Sequence, residues 1–137
     1  MKAKFLITVK TYPTLSSKYD ELVCTAGFLE DGRFIRIYPV PFRKLEFDQQ
    51  YKKYDWIEMD IEKNPSDFRP ESYRAKYKQM DAPISVVGHI GTEDYWSKRK
   101  EIVLNKVYFD MDLLITEAKN KNICRSLAVF KPKKVFD

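Results

Sequence analysis

The chain has 137 residues, 25 of them basic and 20 acidic, with one histidine and two cysteines; 44% are hydrophobic and 15% aromatic. That length suits one domain, the apolar fraction builds a real core and excludes disorder, and two cysteines exclude a disulfide framework. No apolar run is long enough to read as a membrane span, and the opening MKAKFLITVKTYP has no long apolar stretch or small-residue cleavage pattern, so the sequence reads as cytoplasmic and without a signal peptide.

Residues 4–12 read as a first strand with Phe5, Ile7 and Val9 on one face. Residues 13–20, PTLSSKYD, are rich in turn formers and read as a loop. Residues 21–30 and 33–40 read as a hairpin closed at Asp31-Gly32, the strongest short hairpin signal a sequence offers. In its second arm Phe34, Arg36, Tyr38 and Val40 alternate with Arg33, Ile35, Ile37 and Pro39. Residues 41–53 read as irregular or a short helical turn. Residues 54–62 form the cleanest strand, with Ile57, Met59 and Ile61 facing in and Trp56, Glu58, Asp60 and Glu62 facing out.

Residues 64–80 carry Pro65 and Pro70 and no apolar periodicity, so they read as a long loop of the functional or mobile kind. Residues 82–89 read as a short strand. Thr92 is placed to cap a helix reaching about Asn105, with Tyr95, Trp96, Ile102 and Val103 as its apolar stripe. A second helix begins near Asp110, where Met111, Leu114, Ile115 and Ala118 recur at helical spacing and Lys119 and Lys121 sit in the last turn. Residues 124–130 read as a last strand. No repeat or linker divides the chain, so residues 1–137 are expected to form a single domain. The expected fold is mainly β (α+β), a small OB-like antiparallel β-barrel with two late helices; a flat α+β sheet is the alternative.

The net charge of +5 is segregated. Six basic residues and no acid lie between Lys119 and Lys134; Arg33, Arg36, Arg43 and Lys44 form a second basic group, and Arg69, Arg74, Lys76 and Lys78 a third. Such a distribution produces a field that an even spread would not.

Several short pieces resemble an uncharacterised group of bacterial and phage proteins. They are KTYP at residues 10–13, ELVCTAG at 21–27, IRIYPVPFR at 35–43, KKYDW at 52–56, RPESY at 69–73 and NICRSLAVFKP at 122–132. The stretch from Cys24 through the hairpin also resembles the opening of the dual OB domain proteins. The resemblance implies a barrel fold and an association with phage or defence systems. It supplies no catalytic residue.

Nothing in the residues spells out a reaction. His89 is alone, and Cys24 and Cys124 sit among apolar neighbours, where a structural role is the plain reading. Cys24, Cys124 and His89 lack the paired spacing of a zinc site. Glu58, Asp60 and Glu62 place carboxylates about 7 Å apart on one strand face, but without the lysine two residues after an acid that a magnesium-dependent nuclease of this kind needs. The four glycines are scattered and cradle no phosphate. No catalytic residue, metal site or cofactor is expected.

Single-strand binders combine basic grooves with aromatics that stack on bases. Arg36, Tyr38, Phe42 and Arg43 on the hairpin suit that role, as do Arg69, Tyr73 and Arg74 on the long loop, where Phe68, Tyr77 and Lys78 interleave. The same residues also suit a half-buried strand and a flap packed by its own aromatics. The expected function is non-enzymatic binding of nucleic acid, single-stranded by preference. The alternative is a protein-interaction or inhibitor module that docks on a host or phage protein through exposed Tyr, Trp and Arg.

Overall fold

The computed structural model describes residues 2–11, 14–15, 21–40, 50–76 and 84–134. The strands are β1 (Lys2–Lys10), β2 (Thr14–Leu15), β3 (Glu21–Leu29), β4 (Phe34–Val40), β5 (Asp55–Lys63), β6 (Ser72–Ala75) and β7 (Ser85–His89). They are followed by α1 (Glu93–Val103), β8 (Val107–Tyr108), α2 (Met111–Lys119) and β9 (Val129–Phe130).

The pairing order β1-β3-β4-β6-β5 returns to β1, which closes a barrel. All its seams are antiparallel except β4–β6, where Arg36 and Ile37 run parallel to Ser72 and Tyr73. One parallel seam closing an otherwise antiparallel five-stranded barrel is the OB-type arrangement; the flat-sheet alternative is set aside. β2 adds to β3, and β7 adds to the first half of β5 on the edge whose second half holds β6.

The hairpin forms as expected, with a three-residue loop. Leu29 N donates to Arg33 O (2.8 Å), Gly32 N donates to Leu29 O (3.0 Å), and Gly32 takes φ +89°. Glycine suits that position because a left-handed conformation costs it nothing.

Ala3, Phe5, Ile7, Ile35, Ile37, Ile57, Met59, Ile61 and Ile84 fill the barrel interior with Tyr51, whose hydroxyl meets that of Thr25. Two β-bulges change the face of expected residues. One extra residue on β1, between Ile7 and Val9, turns Val9 outward to 45% exposure, against its expected place beside Phe5 and Ile7. A second, on β4 between Ile37 and Val40, brings Val40 into the core on the side of Ile35 and Ile37. It spans Pro39, which has no N–H for a ladder.

The expectation of a structureless loop over residues 64–80 is corrected by β6. Its four residues, SYRA, have no apolar run to announce a strand. They are held by two waiting edges, the parallel seam with β4 and the antiparallel one with residues 61–63 of β5. Residues 77–80 lie outside the described residues, as do 41–49 of the expected irregular segment.

The late helices are present but cover little. Neither contains a buried residue. Thr92 makes no side-chain cap, and Asp94, Tyr95 and Trp96 take left-handed φ, so the expected first-turn stripe is exposed (Tyr95 88%, Trp96 54%). Arg99 ties α1 to the barrel: it stacks 3.9 Å over Tyr54 and donates to Ile90 O. Asp110 caps α2 by accepting from Asp112 N and Leu113 N. The expected last strand over 124–130 shrinks to β9, which pairs with the unanticipated β8; Cys124 has φ +47°, outside strand geometry.

Candidate nucleic-acid interface

An open cavity of about 300 Å³ lies on the outer face of the β3–β4–β6 wall. Cys24 comes from β3, Arg36 and Tyr38 from β4, Ser72 and Tyr73 from β6, and Asn64, Asp67 and Arg69 from the loop that joins β5 to β6. The cavity exists because the β4–β6 seam draws that loop over the hairpin: Arg36 N donates to Glu71 O (2.8 Å), and Asn64 Nδ2 donates to Tyr38 O (3.3 Å).

The loop is built from short polar turns. Asn64 Oδ1 accepts from Ser66 N, and Asp67 Oδ1 from Arg69 N, the local bonds that let Asn and Asp replace a ladder. Asp67 also accepts from the Arg69 guanidinium and the Ser72 hydroxyl. The bonds from Arg69 hold the Asp67 carboxyl well below the usual carboxylate range. Lys63 reaches back to the carbonyls of Arg69, Pro70 and Ser72 and sits 5.1 Å from the Tyr73 ring, so the loop is clamped from beneath.

Arg36 differs from its neighbours. Arg33 pairs with Asp31, Arg69 with Asp67, Arg74 with Glu62 and Arg125 with Glu117, while Arg99 has Ile90 O and Tyr54. Arg36 has no carboxylate partner among the described residues, and its Nη1 is buried without a hydrogen bond. Burial pushes the Cys24 thiol beside it up, with Arg36 and Arg69 opposing. A half-buried guanidinium with no counter-charge is costly, and an anion entering the cavity would compensate it.

Of the residues singled out from the sequence, Arg36, Tyr38, Arg69 and Tyr73 therefore converge on one cavity. Arg74 does not join them; it lies on β6 in a 2.8 Å ion pair with Glu62. Phe42 and Arg43 fall outside the described residues. Sequence reasoning missed Cys24, Asn64, Asp67 and Ser72 as lining residues, for which only the Asn and Asp turn chemistry gave a signal. Phe68, 83% exposed between Asp67 and Arg69, stands at the same loop.

Two of the three carboxylates in the row on β5 are engaged with cations, Glu58 with Lys2 (3.6 Å) and Glu62 with Arg74. His89, taken alone in the sequence, gains a partner when β7 pairs with β5: its Nδ1 is 2.7 Å from Oδ1 of buried Asp55, whose other oxygen accepts from Lys52 N. His89 lines neither this cavity nor the one described next.

A second cavity, of about 330 Å³, lies between the hairpin turn, the β6 end of the loop and the C-terminal segment. The segment is fastened there by Asn105 Nδ2 donating to Gly32 O (3.4 Å) and by the Ser126 hydroxyl donating to Glu71. Buried Tyr108 donates to Glu117, which also accepts from Arg125 (3.3 Å). Tyr73 lines both cavities.

Fold and site together define a small OB-like β-barrel with a cationic, aromatic cavity on its outer wall. The family profile described as a domain of unknown function, DUF8758, matches residues 1–105, and the chain belongs to that family. The match covers the barrel and α1 and ends before β8. Neither a curated protein nor a solved structure matches the chain. No helix among the described residues is long and apolar enough to cross a membrane.

Proposed function

We propose that this protein binds single-stranded nucleic acid, without catalysis, on the β3–β4–β6 wall. The observation that carries the reading is Arg36: a half-buried guanidinium with no ion pair among the described residues, at an open cavity that also holds Tyr38, Tyr73 and the Arg69–Asp67 pair. A phosphodiester supplies the missing anion, and the planar fork of arginine suits it. Tyr38, 42% exposed, and Phe68 offer faces on which unstacked bases lie. In OB barrels this wall and the loop before the last strand form the surface that takes oligonucleotides. A cytoplasmic setting and a phage or defence context belong to the same proposal and rest on the sequence.

The test is fluorescence anisotropy with single-stranded DNA, duplex DNA and RNA at about 50 and 200 mM salt. Single strands should bind best, with affinity falling steeply as added salt reduces the entropy gained by releasing counterions. Absence of binding to every nucleic acid at the lower salt would sink the reading. A protein partner is the second reading, favoured by exposed Tyr95, Trp96, Phe109 and Leu113 on the C-terminal elements. Its affinity should resist salt.

A further inference from the structure

We infer that the second cavity is a nucleotide seat, taking one unstacked base of the strand whose neighbouring phosphate lies at Arg36. The inference rests on the single-strand reading and names a site that reading does not need.

The volume, about 330 Å³, is at the scale of small-ligand sites, and the walls have the composition such sites use: mostly apolar, with a few convergent polar groups. Phe34 forms one wall, and its ring already stacks with buried Phe28 (centroids 4.5 Å apart, tilted 35°). A base laid on Phe34 extends that stack. Leu127 and Tyr108 belong to the C-terminal wall. Asn105 and Glu71 bring an amide and a carboxylate to the lining, the groups that read a base's polar edge.

A counter-charge for the nucleotide's own phosphate is at hand. Lys106 lies 5.3 Å from the Tyr108 ring and makes no ion pair with a described residue. The two cavities share Tyr73, so a strand leaving Arg36 and Tyr38 reaches Phe34 by passing one side chain. Glu71 serves both: its backbone oxygen fixes Arg36 N, and its carboxylate holds Ser126.

The test uses the full chain and two variants that leave charge unchanged. Phe34→Leu removes the stacking ring, and Leu127→Trp fills the cavity. The probes are a labelled oligo-dT of about ten nucleotides and free adenosine and uridine monophosphate. Each variant should weaken oligonucleotide binding about fivefold or more, the loss of one stacked base, with an unchanged circular dichroism spectrum. Free monophosphate should shift the amide resonances of Gly32, Asn105 and Leu127.

If the parent binds the oligonucleotide and both folded variants bind it equally well, the seat is refuted and the single-strand reading stands. If no oligonucleotide binds but a monophosphate moves those amides, the single-strand reading fails and the seat stands as a mononucleotide site. If neither probe binds, both fail. Should Leu127→Trp not fold, Phe34→Leu and the amide shifts decide alone.

Discussion

Arg36 carries a charge that folding takes half out of water and leaves without a carboxylate partner among the described residues, while its paired neighbours show that the same surface can supply one. Binding and stability should therefore separate at this position. Arg36→Met keeps the packing of the stem and removes the charge. Its unfolding free energy should equal the parent's or exceed it by about 1 kcal/mol, because an uncompensated buried charge is a cost. Its affinity for a single strand should fall about tenfold, the loss of a charged hydrogen bond. Urea unfolding and anisotropy on one preparation check both halves. Asp67 is the opposite case. The bonds from Arg69 depress its folded pKa, so the stabilisation is fully present above the unfolded carboxyl's value and disappears as pH falls through the folded one. Asp67→Asn should cost about 1 kcal/mol at neutral pH, and the gap to the parent should close as pH drops below about 4. A gap of constant size in urea titrations across that range would refute the assignment.

At the scale of the element, β1 and β3 depend on a close approach that only glycine permits. A Cβ at Gly27 would stand 1.7 Å from the Leu6 carbonyl oxygen, and backbone cannot retreat as a flexible side chain can. Gly27→Ala should cost about 3 kcal/mol or more in equilibrium unfolding, at the top of the range for overpacking. A cost under about 1 kcal/mol would mean the two strands sit farther apart than described. The hairpin, the alternation of β5 and the start of α2 near Asp110 were all readable, because each is a local pattern that its own residues enforce. β6 was not. Ser72–Ala75 carries no strand signature of its own and becomes one only because β4 and β5 both present unpaired edges to it.

For the whole molecule, the barrel and the C-terminal segment are unequal partners. Tyr108 is the one buried residue described beyond residue 105, where the family match also ends. A chain cut after Asn105 should still melt cooperatively, losing about 2–3 kcal/mol, which is what burial of one large side chain supplies. The same truncation removes one wall of the second cavity, with Lys106, and leaves the Arg36 cavity whole, so mononucleotide binding should vanish while the oligonucleotide still binds, with a salt dependence lowered by about one counterion. Calorimetry and anisotropy on the shortened chain check the two statements.

The sequence by itself determined the strands with strict alternation, the glycine turn, the two late helices and the barrel class. In the strands one face must leave water and the period of apolar residues says which; the turn follows from the φ that glycine allows, and the helices form without burying a residue. It also pointed to Arg36, Tyr38, Arg69 and Tyr73, though not to their meeting. Tertiary structure decided that meeting: β4 and β6 become neighbours across a parallel seam, a contact between segments more than thirty residues apart that no local period encodes. It likewise decided the two bulges, since a bulge answers the curvature of a closed sheet rather than the preference of one residue. It left Arg36 without an ion pair among the described residues, because pairing of an arginine is settled by which acids the fold brings within reach.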